Sequence, residues 1–233
     1  MWMAQEHGKT DDEDLLTSAA FGLLRYLPWE AGLLPVLRAA GVPLDGPITE
    51  VRFWPLHDRT EPDVVVATPA SALVIEAKLW AGFQEAQLGR EWRWLQQQYP
   101  GRTRHLLTIT GRRYSKRSIL HRLQADLCSL ALTDVVDESR VHTMHWSDLP
   151  EQLRNVGVPH DPGEHRLLGD LENTLARFGV FRRPFRAWPE PQVPLAQSAY
   201  WYGPRGLHRY FGMHVPETAF PRPTPWYTTK GSL

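Results

Sequence analysis

Cysteine, lysine and long apolar runs are scarce in this sequence. Cys128 is the only cysteine among 233 residues, so the chain cannot form an internal disulfide, and we expect a reducing, cytoplasmic environment. No apolar run approaches the length of a membrane-spanning helix, and the polar, acidic opening MWMAQEHGKTDDED lacks the apolar segment of a signal peptide. We therefore expect no contact with a membrane.

The sequence also lacks the motifs of several large enzyme classes. It contains no glycine-rich phosphate loop, no Gly-x-Ser-x-Gly turn and no dinucleotide-binding fingerprint. A structural zinc site is not expected either, because no further cysteines are present to serve as ligands. These absences argue against the P-loop nucleotide hydrolases, the serine hydrolases and the dinucleotide-dependent enzymes.

Positive charge is balanced overall but concentrated in residues 90–122, which we call the basic stretch. Lysine and arginine together number 26, as do aspartate and glutamate, whereas the basic stretch holds nine cations and one acid, Glu91. Its cations are Arg90, Arg93, Arg102, Arg104, Arg112, Arg113, Lys116, Arg117 and Arg122. Two interpretations stay open: a solvated surface whose cations pair with acids elsewhere, or a surface that binds nucleic-acid phosphates. For the second, the expected contacts are Arg90, Arg93, Arg112, Arg113, Lys116 and Arg117.

Apolar periodicity and turn residues predict one α/β domain with a mixed central sheet flanked by helices. A first helix ends at Pro28, a second covers 31–40, and Pro55 limits a strand near 48–57 to an edge of the sheet or places Pro55 at the end of the strand. Further elements are predicted as strands at 63–67 and 72–78, a helix at 84–98, a strand at 104–110, a helix at 117–132, a strand near 141–146 and a helix near 164–178.

Three charged side chains interrupt the apolar strands of EPDVVVATPASALVIEAKLW, residues 61–80. If the two strands form a hairpin through a loop over 68–71, Asp63 lies opposite Glu76, and opposed residues project on the same face. Glu76 and Lys78 share that face because side chains alternate along a strand. All three charges are therefore expected to converge on one side of the sheet.

Converging carboxylates predict a bound cation. Two opposed carboxylates repel each other, and a divalent ion such as Mg²⁺ or Mn²⁺ relieves that repulsion by taking one or two protein carboxylates together with phosphate oxygens and waters. A neighbouring lysine can orient or deprotonate the attacking water, or stabilise developing negative charge. Lys78 is one of only four lysines beside 22 arginines. These parts suit the hydrolysis of a phosphodiester.

Pro62-Asp63, followed after 12 residues by Glu76-Ala77-Lys78, resembles the signature of the PD-(D/E)xK nucleases. The predicted order of helix, three strands, helix and strand over roughly residues 11–110 resembles the restriction-endonuclease-like core of that superfamily. The resemblance implies that Asp63 and Glu76 bind the metal, that the backbone carbonyl of Ala77 assists, and that Lys78 is catalytic. The opening EDLLTSAAFGLLRYLP also resembles those of small bacterial members, some of which act in defence.

The resemblance implies two further site residues. An extra acid on the first helix maps to Glu13, and less well to Asp14, as a metal ligand, and a glutamine in the helix after the lysine maps to Gln87 in the catalytic set. Other roles stay open for these residues. Thr10 and Glu13 have the spacing of a capping box, and Gln87 can equally lie on the helix surface. Asp63 can be a turn residue, and Glu76 and Lys78 can form a salt bridge on an exposed edge strand.

The last 51 residues differ in composition from the rest of the chain. They hold nine of the 20 prolines and ten of the 25 aromatic residues, which predicts an irregular arm over 183–233 beyond a domain at 10–182. The aromatics need a surface to pack on. That surface is the domain itself, a second protein chain such as the other half of a homodimer, or unstacked bases.

We therefore expect a divalent-metal-dependent nuclease that hydrolyses phosphodiester bonds of DNA, in bacterial defence or in DNA processing. The alternative is a non-catalytic binding or assembly module that keeps the nuclease fold, which the zero net charge and the aromatic arm would also suit. A metal-dependent hydrolase of small nucleotides on the same fold is a third possibility.

Overall fold

The computed structural model describes residues 11–30, 32–155 and 162–180. The chain divides into two units, Met1–Phe185 and Arg186–Leu233. The predicted arm over 183–233 and the capping residue Thr10 lie outside the described residues. The fold and the site below therefore belong to the first unit.

The described residues form helices and strands in close to the predicted order. The helices are α1 (Asp12–Tyr26), α2 (Leu33–Ala39), α3 (Gln87–Gln98), α4 (Lys116–Ser129), α5 (Leu149–Asn155) and α6 (Pro162–Arg177). The strands are β1 (Glu50–Phe53), β2 (Val64–Ala67), β3 (Ser71–Lys78), β4 (Thr103–Thr110) and β5 (Val141–His145), and single 3-10 turns cover Glu138–Arg140 and Trp146–Asp148. The sequence did not predict α5, which is only two turns long. No helix in the described ranges is long and apolar enough to cross a membrane.

The five strands form one mixed sheet in the order β1-β2-β3-β4-β5. The pairs β1–β2 and β2–β3 are antiparallel, whereas β3–β4 and β4–β5 are parallel. The parallel connections pass through α3 and α4, as a crossover between parallel strands requires. The predicted α/β fold with a mixed, helix-flanked sheet is confirmed, and β1 lies at an edge as Pro55 indicated.

Both faces of the sheet are covered, so its central strands are buried on each side. Every residue of β2 and β3 is buried. On one face of the sheet, Val64 and Ile75 point into an apolar cluster that includes Leu16 and Leu24 of α1. On the other face, Val65 packs in a second apolar cluster with residues of α3 and α4. This two-sided burial explains why these strands read as nearly continuous apolar runs.

The hairpin of β2 and β3 has the predicted register. Ala67 pairs with Ala72 and Val64 with Ile75. The Thr68 backbone N–H donates to the Ser71 carbonyl at 2.9 Å and closes the loop. One position beyond the last pair, the same register brings Asp63 opposite Glu76.

Two histidines lie buried between β4 and β5. His105 Nδ1 is 3.2 Å from His142 Nε2, and the residues are 1% and 3% exposed. Burial lowers the pKa of each to about 4. The charge of His142 and of Arg140 further lowers the pKa of His105, and the charge of Lys116 further lowers that of His142. Both imidazoles are therefore neutral in the folded protein at neutral pH.

This pair gives the free energy of unfolding a definite pH dependence. The usual histidine pKa is 6.5, so between about pH 6.5 and 4 the unfolded chain binds protons that the folded one does not. We expect stability from this pair to be complete above about pH 6.5 and to fall on acidification by up to about 1.4 kcal/mol per pH unit for each histidine.

Urea unfolding across this pH range tests the expectation. The variant His105→Gln/His142→Gln should lose less stability on acidification than the parent. The difference between the two proteins in free energy of unfolding measures the contribution of the histidine pair, because all other titrating groups are the same in both. Exposed His121→Gln serves as the control and should follow the parent. Parallel curves for the parent and the double variant would contradict the assignment.

Candidate active site

The charged residues of the two central strands meet at the carboxyl end of β3. Asp63, Glu76 and Lys78 are only 9%, 1% and 8% exposed, and the Lys78 Nζ lies 2.6 Å from Glu76 Oε1. The cluster is therefore not an exposed edge-strand face. Because a buried charge costs several kcal/mol unless it is paired, its position inside the sheet requires the partners described below.

Asp63 is fixed against the neighbouring strand by a backbone hydrogen bond. The Ala77 N–H donates to Asp63 Oδ2 at 2.8 Å. Since the N–H and C=O of one strand residue point to the same edge, the Ala77 carbonyl faces the same side as this bond. The aspartate and the backbone carbonyl that the resemblance implied as ligands thus lie next to each other.

Glu13 brings helix α1 to the end of β3. Its Oε1 accepts a hydrogen bond from Lys78 Nζ at 2.8 Å, and its Oε2 accepts one from the Leu79 backbone N–H at 2.7 Å. The N-cap of α1 is Asp11, which makes no side-chain capping bond. Both carboxylate oxygens of Glu13 therefore accept hydrogen bonds at the site, and one of the donors, Lys78, is 65 residues away in the sequence.

Helix α3 contributes two side chains from the other face of the sheet. Gln87 Nε2 donates to Glu76 Oε1, and Gln87 Oε1 accepts from the Gln84 backbone N–H, so the amide is oriented by both contacts. Glu91, one helical turn later, is 2% exposed and contacts the side chains of Glu76 and Gln87. Gln87 thus lies at the site and not on an open helix surface.

Glu91 is the site residue that the sequence interpretation missed. The sequence interpretation assigns Glu91 no role beyond being the one acid among the cations of the basic stretch. A signal was present, because Glu91 falls between Leu88 and Leu95 on the apolar stripe of α3 and lies four residues after Gln87. An acid within a buried stripe needs a polar partner.

The protonation equilibria reflect an excess of buried negative charge. Burial, followed by the charge of Glu76, raises the pKa of Asp63 well above its usual range, and burial, followed by the charge of Glu91, does the same for Glu76. Burial raises the pKa of Glu91 to about 7. Burial alone would lower the pKa of Lys78, but the charges of Glu76 and Asp63 and the hydrogen bonds to Glu13 and Glu76 outweigh it and raise that pKa.

These pairings keep Lys78 protonated. With its ammonium group held between two carboxylates, Lys78 is a cation and a hydrogen-bond donor. Of the roles that the sequence left open for it, orienting a water and stabilising developing negative charge suit this state. Removing a proton from water does not, because a protonated amine has no free lone pair.

The oxygen donors at the site suit Mg²⁺ or Mn²⁺. Glu76 Oε2 and Glu91 Oε2 are buried, and apart from the contact between these two carboxyl groups neither oxygen receives a hydrogen bond from a described residue, so the lysine alone does not compensate them. No group of three or more His, Cys, Asp and Glu side chains in the described ranges is arranged to hold a metal ion. A site made of two carboxylates, one backbone carbonyl, and waters or phosphate oxygens does not need such a group.

The cations of the basic stretch divide into two classes. Five bind groups of the protein itself: Arg90 (Glu85 carbonyl), Arg102 (Thr68 carbonyl), Arg104 (Asp134), Arg113 (Asp148) and Arg122 (Phe83 and Gln84 carbonyls). The other four are Arg93, Arg112 and Arg117, which are exposed, and Lys116, which is half-buried; their side chains make no hydrogen bond or ion pair with other described residues. The interpretation that the cations of the basic stretch pair with groups elsewhere in the fold is thus correct for only some of them.

Known proteins give no independent indication of the activity. Comparison of the chain with protein-family models, with curated proteins and with solved structures finds no match in any of the three. The residues at the end of β3 and the fold that holds them are therefore the basis for a functional conclusion.

Proposed function

We propose that this protein is a divalent-metal-dependent nuclease of the PD-(D/E)xK type that hydrolyses phosphodiester bonds, with DNA as the substrate. The observation that carries the proposal is the burial of Asp63 and Glu76 beside Lys78 at one end of the sheet. A structural role explains such a cluster poorly, because a buried ionic group is weak support for stability compared with apolar side chains of similar size. Perturbed, buried carboxylates around a lysine are a pattern of functional sites.

Each residue has a role in the proposed reaction. Asp63, Glu76 and the carbonyl of Ala77 would hold the metal ion, which supplies a Lewis acid for the phosphate oxygens when it is bound. Lys78 orients the attacking water and stabilises the charge that develops on the phosphate. Gln87 holds the Glu76 carboxylate in place, and Glu13 holds the Lys78 ammonium group. In this arrangement Glu13 acts on the lysine and not as a direct metal ligand.

The element order also supports the proposed nuclease fold. Apart from the additional short helix α2 between α1 and β1, the order of α1, the strands β1 to β3, α3 and β4 is that of a restriction-endonuclease-like core, and β3, which carries Glu76 and Lys78, lies at the centre of the sheet. A cytoplasmic location and a role in defence or DNA processing belong to the same proposal and rest on the sequence alone.

Cleavage assays test the proposal directly. Purified protein should cut plasmid or single-stranded DNA in the presence of Mg²⁺ or Mn²⁺ and lose that activity with a chelator. Asp63→Asn, Glu76→Gln and Lys78→Ala should each lower the rate by about 10²–10³-fold or more, since each removes a group that interacts with the reacting phosphate or its metal. Circular dichroism should show that these variants are folded.

Arg38→Ala and Asp58→Asn are the matched controls, because both residues are exposed and lie outside the cluster and the basic stretch. Both variants should cut DNA like the parent. Parallel reactions with RNA decide the choice of nucleic acid. Activity that survives both the chelator and Lys78→Ala would exclude the proposed mechanism. Folded parent protein that cuts no nucleic acid under these conditions would favour the binding or assembly module.

The basic stretch generates a second prediction, about the salt dependence of binding. In the presence of a chelator, replacing Arg112, Arg113, Lys116 and Arg117 together by alanine should flatten the plot of log K against log salt. The slope should fall by roughly 0.7–0.9 for each phosphate contact that is lost. Arg113 should contribute least to this change, because Asp148 already neutralises it.

The double variant Arg25→Ala/Arg38→Ala provides the control, since it removes two exposed cations from α1 and α2 outside the basic stretch. It should keep the parent slope. If the fourfold variant also keeps both the affinity and the slope of the parent, the basic stretch is a solvated surface and the nucleic acid binds elsewhere.

A further inference from the structure

Trp80 is a large exposed aromatic residue directly beside the proposed catalytic lysine. Its residue exposure is 53%, and the other exposed large apolar side chains among the described residues are Tyr26, Leu56 and Val135, at 69–94%. Single exposed apolar side chains are common and need no explanation by themselves. The position of Trp80 distinguishes it, because two residues span at most ~7 Å and its Cα therefore lies within that distance of the Cα of Lys78.

The chain before Trp80 is tightly fixed. The Lys78 carbonyl accepts hydrogen bonds from the Gly111 backbone N–H at 2.8 Å and from Trp146 Nε1 at 3.2 Å. Leu79 is buried, and its N–H donates to Glu13. Gly111 lies so close to the Leu79 carbonyl that a Cβ there would be 2.0 Å from the oxygen. The backbone that carries the indole is therefore held by contacts from three elements.

The chain after Trp80 is anchored as well. Phe83 is buried, its ring lies 5.7 Å from that of Tyr114, and the Arg122 guanidinium group lies over it. Arg122 also donates to the carbonyls of Phe83 and Gln84. Between the two anchors, residues 80–82 are exposed, and a Cβ at Gly82 would meet nothing within 4 Å. There is thus open space next to an indole on a short, fixed loop.

A free cation lies on the neighbouring chain segment. Lys78 pairs with Thr110 in the parallel ladder, so the residues after each strand leave the sheet side by side. Arg112 follows Gly111, is exposed, and makes no hydrogen bond or ion pair from its side chain within the described part of the chain. The segments that carry the Trp80 ring and the Arg112 guanidinium thus leave the sheet next to each other. Aromatic rings and cations along one groove are the combination with which proteins bind single-stranded nucleic acid, the ring stacking on a base and the cation contacting a phosphate.

We infer that Trp80 stacks on an unpaired base next to the phosphate that lies at Lys78, and that the site therefore prefers single-stranded or locally unpaired nucleic acid. The inference deepens the proposed function by naming the form of its substrate. A base inside an intact duplex cannot offer its face to the indole, because it is already stacked on its neighbours. Trp80 is a specificity-determining residue in this arrangement and takes no part in the chemistry.

Binding without turnover tests the inference apart from the proposed activity. The probes are fluorescein-labelled oligothymidylate and oligouridylate of about 16 nucleotides and a duplex of the same length, measured by anisotropy with the full chain in a chelator. Trp80→Ala should weaken binding of a single strand by about 5- to 150-fold and change duplex binding little. Trp80→Phe, which keeps an aromatic face, should retain most of the affinity.

Tyr26→Ala is the matched control, because Tyr26 is 77% exposed but lies at the opposite end of α1 from Glu13. It should bind every probe like the parent. The oligonucleotide whose affinity Trp80→Ala lowers identifies the strand as DNA or RNA. Equal losses for single strand and duplex, an unchanged single-strand affinity, or a parent that binds no single strand would each overturn the inference.

Cleavage assays separate this inference from the proposed function. If Trp80→Ala loses single-strand affinity but the parent cuts nothing, the nuclease proposal fails and the stacking site stands. If the parent cuts DNA and Trp80→Ala binds and cuts single strands equally well, the stacking site alone is wrong.

Discussion

The pairing of the Lys78 ammonium group with buried carboxylates is the interaction on which the rest of the site depends. Lys78 Nζ is within 2.8 Å of both Glu13 and Glu76, and these acids come from different layers of the fold. Charges in such a position remain only if each is compensated, because the cost of an unpaired buried ion amounts to several kcal/mol. Apolar packing brings α1 onto the sheet, and the need to compensate these charges then fixes how the polar side chains at the end of β3 are oriented.

Within the protein, the ammonium group of Lys78 does not compensate all the acidic groups around it. Four carboxyl groups surround a single ammonium group, and apart from the contact of Glu76 with Glu91 the buried Oε2 atoms of these two residues receive no hydrogen bond from the described part of the chain. Among the described residues, the lysine is thus outnumbered by acids, and burial raises the pKa of three of them, Asp63, Glu76 and Glu91. This imbalance is unfavourable for folding alone, and a bound divalent cation would remove it. Sites that store such unfavourable interactions are more often functional than structural.

The part of the site that lies on one hairpin could be predicted from the sequence. Alternation along the strands and the length of the loop fix the register, and the register decides which side chains share a face. The pairing of Ala67 with Ala72 and of Val64 with Ile75 confirms this reasoning. The fold class could be predicted for a similar reason, since the apolar runs and turn residues mark the strands and helices locally.

The contributions from other elements could not be predicted from local patterns. Glu13 reaches Lys78 because α1 packs on one face of the sheet, and Glu91 reaches Glu76 because α3 packs on the other. The basic stretch shows the same limit, since Arg104 and Arg122 bind acceptors that are distant in the sequence. Only the tertiary packing shows which charges pair within the protein and which do not.

Calorimetric titration of the full chain with Mn²⁺ tests the central claim most directly, because the claim is that buried Asp63 and Glu76 hold a divalent cation. The account predicts saturable binding to the parent, loss of that binding in Asp63→Asn, and retention in Asp58→Asn, which alters an exposed aspartate outside the cluster. Binding that Asp63→Asn leaves unchanged, or a parent that binds no Mn²⁺ or Mg²⁺, would contradict it.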